Sequence, residues 1–93
     1  MNTPTETQRY QVDQHARFRV LEDEGIFVLQ EAGEVLVINE VGAFIVERLR
    51  ENETLADAVK AVTTHYQVDE DTARSDAEQL IDALLEAGAL TRS

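Results

Sequence analysis

The sequence predicts an α+β domain in which a three-stranded antiparallel sheet is followed by three helices, β-β-β-α-α-α. Three observations lead there. Short runs of β-branched and aromatic residues fill positions 17–38 and are split by polar turns. After Asn39 the apolar spacing changes from every second residue to every third or fourth. The connections between the first three runs are too short for crossovers, so the strands pair in sequence order as an antiparallel meander.

Each element has its own reason. Arg17-Phe18-Arg19-Val20-Leu21 alternates in part, with Phe18 and Val20 on one face. Glu22-Asp23-Glu24-Gly25 is a polar cluster ending in glycine and reads as a turn. Ile26 to Leu29 supplies the second strand. Gly33 then offers positive φ for a tight reversal into the third strand, Val35-Leu36-Val37-Ile38. Asn39 is a good N-cap for a helix with Val41, Phe44, Ile45 and Leu49 on one face, and Asn52 can end it in the left-handed region. Thr54-Leu55-Ala56-Asp57 resembles a capping box with Asp in place of Glu, opening a second helix through Leu55, Ala58, Val59, Val62 and Tyr66. The third begins near Asp69, carries Glu70 and Asp71 in its first turn, and ends at Gly88. It is about 27 Å long, the longest element expected. Its stripe is Ala73, Ala77, Leu80, Ile81, Leu84 and Leu85, and Leu90 can fold back on the core.

Composition sets the bounds on function. Ninety-three residues make one domain, with 43% apolar residues to fill a modest core. Residues 1–16 read as a polar, flexible lead-in containing the only proline, Pro4, and residues 17–93 as the folded domain. The N-terminus has no basic or apolar region of a signal peptide, and no stretch approaches a membrane span. The absence of cysteine is compatible with a cytoplasmic protein. Nineteen Asp and Glu against eight Lys and Arg give a net charge of −11 with no basic cluster. Phosphate neutralisation drives most nucleic-acid affinity, so nucleic acid and anionic membrane are poor partners.

Catalytic chemistry has little to stand on. His15 and His65 are far apart in sequence, and neither adjoins a nucleophile. His65 falls near the end of the second helix, where a cation complements the dipole. Ser75 and Ser93 stand in no motif. A calcium loop starting at Asp69 would need glycine at its sixth position and glutamate at its twelfth; these hold Arg74 and Leu80. The four glycines form no phosphate cradle. The reading is a protein that is not an enzyme and needs no metal or cofactor.

The third strand is the remaining handle. In a meander it lies at an edge, so one row of its N–H and C=O groups is unpaired, yet Val35-Leu36-Val37-Ile38 has no Lys, Pro or bulge to blunt it. Two of its four apolar side chains must also face away from the helices. Three arrangements would answer this: cover by long side chains and the lead-in, a homodimer through the sheet, or an extended peptide added as a fourth strand. Physical grounds alone put the first slightly ahead.

A small sheet beside two shorter helices and a longer one is also the layout of a winged helix-turn-helix with the wing strands placed first. Within it, Val37-Ile38-Asn39-Glu40-Val41-Gly42-Ala43-Phe44-Ile45 resembles the "LN-x-x-Gly-Ala-x-Ile" signature of the PqqD-like family. Thr54 to Val59 is similar to the family's next block. Asp76-Ala77, Leu80-Ile81, Leu84-Leu85 and Gly88-Ala89-Leu90 are similar to its closing helix. The likeness runs in order from about residue 17 to 91. Asn52 replaces a frequent glycine, and Ala77 and Ala89 are smaller than the usual aliphatics.

The resemblance implies a recognition element for ribosomally made, post-translationally modified peptides. Such domains bind the leader of a precursor peptide and deliver it to a modifying enzyme, often a radical S-adenosylmethionine protein. The leader lies as an added strand in the cleft between the third strand and the third helix. Carried over, this places Val35, Leu36, Val37 and Ile38 on the peptide backbone, with Arg74, Ala77, Glu78, Ile81 and Leu85 on the helix side of the groove. For Ala77, Ile81 and Leu85 the competing role is ordinary core. For Arg74 it is a surface ion pair with Glu70 or Glu78. A winged-helix transcriptional regulator and a structural homodimer are the alternative functions.

Overall fold

The computed structural model describes residues 7–93, so Pro4 and the first part of the expected lead-in lie outside the described residues. The chain runs β1 (Tyr10–Val12), β2 (Ala16–Leu21), β3 (Glu24–Leu29), β4 (Glu34–Ile38), α1 (Glu40–Arg50), α2 (Leu55–Tyr66), α3 (Glu70–Ala87) and β5 (Leu90–Arg92). The expected three strands are β2, β3 and β4, an antiparallel sheet in sequence order, and the three helices follow as anticipated.

Strands β1 and β5 add to that plan. They form a separate antiparallel pair, with Tyr10 opposite Arg92 and Val12 opposite Leu90. Asp13 N–H donates to Ala89 O at 2.9 Å, and Leu55 N–H donates to Gln8 O at 3.3 Å. Tyr10 is only 2% exposed. The expectation of a flexible segment over 1–16 is therefore corrected from Gln8 onward, where the chain ties the protein's end to the start of α2. A three-residue strand gives too short a periodicity to read, and its partner lies about eighty residues away.

Both hairpin turns use left-handed backbone, the second at Gly33 as expected and the first at Glu22 rather than at Gly25. Glu22 takes φ 54° and, with Asp23, makes a two-residue loop closed by the Leu21–Glu24 pair. Gly25 lies inside β3 and is buried. A Cβ there would come 2.8 Å from Phe18 Cε1, 2.9 Å from Ile38 Cγ1 and 3.0 Å from Ala43 Cβ, so its absence lets α1 close on the sheet. Gly33 has φ 69°, as the reversal into β4 requires.

The helix ends follow the sequence signals. The Asn39 side chain accepts from Gly42 N–H at 2.8 Å. Thr54 and Asp57 form a reciprocal capping box at 3.2 Å in both directions. Asp69 caps α3 through Asp71 N–H and Thr72 N–H, and Gly88 ends it at φ 80°. The helices pack on one face of the sheet. Phe18 and Phe27 meet across β2 and β3 at 4.6 Å between ring centroids, and Leu29, Ile45, Val46, Leu49, Leu55 and Ile81 complete the centre of the core. Among the described residues no polar or charged side chain is buried as a whole, and no helix is long and apolar enough to cross a membrane.

Candidate functional site

The register shows which backbone groups of β4 are left over. The tight loop makes Leu21 and Glu24 a hydrogen-bonded pair, and Gln30 N–H donating to His15 O at 3.0 Å continues that side of β3. Even-numbered residues of β3 therefore bond to β2, and Gly25, Phe27 and Leu29 turn to β4. Their partners are Ile38, Leu36 and Glu34. By alternation the N–H and C=O groups of Val35 and Val37 point outward from the sheet edge. No other strand pairs with that edge among the described residues.

Side chains alternate with the same parity. Leu36 and Ile38 are partly buried against the core, whereas Val35 is 61% and Val37 58% exposed on the opposite face. Ile38 also forms one wall of a cleft of about 530 Å³ between the β4–α1 junction and α3. Val41, Gly42, Val68, Asp76, Gln79 and Leu80 are among its other lining residues. Gly42 lets these walls converge: a Cβ there would stand 3.3 Å from Leu80 Cδ2 and 3.4 Å from Ile38 Cβ. The cleft is apolar at its base, and Asp76 is its only carboxylate among the lining residues.

The structure thus assembles Val35, Leu36, Val37 and Ile38 as one edge strand. It distributes the helix-side residues differently. Ala77 and Ile81 are 0% exposed within the core. Leu85 packs partly buried against that core, and Glu78 is half-buried. Arg74 pairs with Glu70 at 2.6 Å and Asp71 at 3.3 Å. The residues α3 turns to the cleft are Ala73, Asp76, Gln79 and Leu80, one step round the helix. Sequence periodicity groups Leu80 with Ile81 in one stripe. The doubled apolar width at 80–81 is the signal that one of the two lies beyond the core.

Other polar groups serve the fold. The Thr54 backbone N–H and hydroxyl hold the Asp57 carboxyl below its usual value. Phe44 stacks on His65 at 4.9 Å, and the Tyr66 hydroxyl donates to Glu40 Oε2 at 3.3 Å. Burial, then the Glu40 charge, raises the Tyr66 pKa. His15 lies 3.5 Å from Asp13 and 3.7 Å from Glu31. Among the described residues no three His, Cys, Asp or Glu side chains gather as a metal site.

Two solved structures share this architecture. One is TbiB1 in complex with the TbiA(beta) leader peptide, with TM-score 0.79, 22% identity, and coverage of 86% of this chain and 93% of that one. The other is lasso peptide synthetase B1 complexed with the leader peptide, with TM-score 0.81, 23% identity, and coverage of 89% and 98%. At these identities the likeness shows the fold. No curated protein matches the chain. The family described as coenzyme PQQ synthesis protein D (PqqD) matches residues 20–90, nearly the whole domain, and the chain belongs to that family.

Proposed function

We propose that the protein is a non-catalytic recognition element that binds the leader of a ribosomally made precursor peptide and presents it to a modifying enzyme. The observation that carries this is the pair of open amide units at Val35 and Val37, on a strand whose last residue, Ile38, forms a wall of the apolar cleft lined by Leu80. Family membership supports it, as does the leader peptide bound in each of the two similar structures. The setting is the cytoplasm, where such precursors are made. A radical S-adenosylmethionine protein fits the enzyme's role.

Strand addition would use both backbone groups of Val35 and of Val37. At about 1 kcal/mol net per hydrogen bond the ladder contributes roughly 4 kcal/mol, which corresponds to millimolar affinity. An aliphatic or aromatic side chain seated in the cleft adds about 1.5–3 kcal/mol. The cleft therefore decides which leader is held, and the ladder decides how it lies. On this reading Leu36, Ile38, Asp76, Gln79 and Leu80 line the groove, with Arg74, Glu78 and Leu85 at its flank and Ala77 and Ile81 supporting it from the core.

DNA binding is a poor alternative, since α3 carries six carboxylates against Arg74 alone. Titrating isotope-labelled protein with the leader of the precursor encoded beside it tests the proposal. Amide shifts are expected at Val35, Val37, Asp76 and Leu80. Shifts confined to α2 and β5 would overturn the placement.

A further inference from the structure

The large apolar side chains left in solvent are concentrated on one surface. Of the five exposed ones among the described residues, Leu21 (52%), Val28 (41%), Val35 (61%) and Val37 (58%) share the outer face of the sheet by strand alternation. Half-buried Ile26 lies among them. The register arranges this face in rows, Arg17–Val28–Val35 and Arg19–Ile26–Val37, with Leu21 beside Glu24. Every helix packs on the other side. Neither Arg17 nor Arg19 is ion-paired among the described residues, although the chain carries nineteen carboxylates. Aliphatic surface of this kind, edged by free guanidiniums, calls for a partner that is apolar at its centre and carboxylate-bearing at one rim.

A second copy of the chain fits poorly. Each copy carries a net charge of −11, and the face offers one carboxylate, Glu24, to answer two guanidiniums. The face is also continuous with the open edge. Val35 and Val37 turn their amides to the edge and their side chains to this surface, so an added strand would set its own alternate side chains beside theirs. We propose that the outer face of the sheet is the docking surface for the modifying enzyme, which reads the module and the bound leader together. This rests on the leader-binding reading and assigns the second partner to a different surface of the same strand.

The test uses the full chain, the leader peptide, and the purified modifying enzyme encoded beside them. Arg17→Glu/Arg19→Glu and Val28→Lys are the variants, all away from the β4 edge, with Lys60→Glu on α2 as a control for general charge. Fluorescence anisotropy with labelled leader reads strand addition and confirms that each variant is folded; affinities within about twofold of the parent are expected. Calorimetry with the enzyme reads docking alone. Both outer-face variants should bind about tenfold or more weakly, and the double arginine variant should lose most of the salt dependence, while Lys60→Glu stays at the parent value. The proposal is overturned if the enzyme binds all variants equally, or does not bind the parent chain while the leader does. It is also overturned if sedimentation shows a dimer of the parent that Val28→Lys dissociates, which would assign the face to a second copy. Loss of leader binding by the parent would instead overturn the reading beneath it.

Discussion

Proline scanning along β4 separates the two sides of one strand. Val37 N–H points to the open edge, so Val37→Pro removes no bond to β3 and keeps the extended backbone that an edge strand tolerates. Stability should fall by no more than about 1 kcal/mol. A leader laid along that edge loses a hydrogen bond, and its carbonyl is left buried without a donor, which costs about 1–3 kcal/mol. The affinity should drop by roughly 5- to 150-fold. Val35→Pro should behave alike. Leu36→Pro is the contrast: its N–H bonds to Phe27 across the β3–β4 ladder, and its side chain packs against the core. A lost ladder bond together with lost packing should destabilise the domain by about 2–4 kcal/mol. Urea denaturation gives the stabilities, and anisotropy with labelled leader gives the affinities. If Val35→Pro and Val37→Pro both bind like the parent, the leader is not an added strand here. If Leu36→Pro is as stable as the parent, the derived register is wrong.

Three further outcomes follow from named contacts. Leu80→Asp replaces a partly buried cleft wall and should weaken leader binding about tenfold or more by anisotropy, with the fold retained by circular dichroism. Gly25→Ala forces a Cβ within 2.8–3.0 Å of Phe18, Ile38 and Ala43; it should cost about 1–3 kcal/mol, read as a lower Tm in a thermal melt. Because Thr54 lowers the Asp57 pKa below its ordinary 3.8 in the folded state, the capping box stabilises above that value. Its contribution fades as pH falls through the folded pKa, so acid melts of Asp57→Asn should show a shallower pH dependence than the parent.

Local chemistry was legible wherever one residue acts on its neighbours. Asn39, Thr54, Asp69, Gly33 and Gly88 announce their caps and turn because each satisfies or reshapes backbone only a few residues away. The meander was legible because short loops leave no other pairing. Gly25 misled as a turn residue, since glycine serves both positive φ and close approach, and only the positions of Phe18 and Ala43 distinguish them. The pairing of β1 with β5 was hidden by its short length and long separation.

By itself, then, the sequence determined the order of the elements, a strongly acidic charge balance, and an edge strand richer in apolar residues than one core face requires. Tertiary structure decided which side of each residue is used. Whether Val37 offers its amide to β3 or to the open edge depends on a register set by the Glu22–Asp23 loop. Whether Leu80 or Ile81 faces the core depends on how α3 is rotated about its axis against α2 and α1. Periodicity states that a face exists; what lies opposite it is a property of the packed chain, because the partner comes from residues distant in sequence.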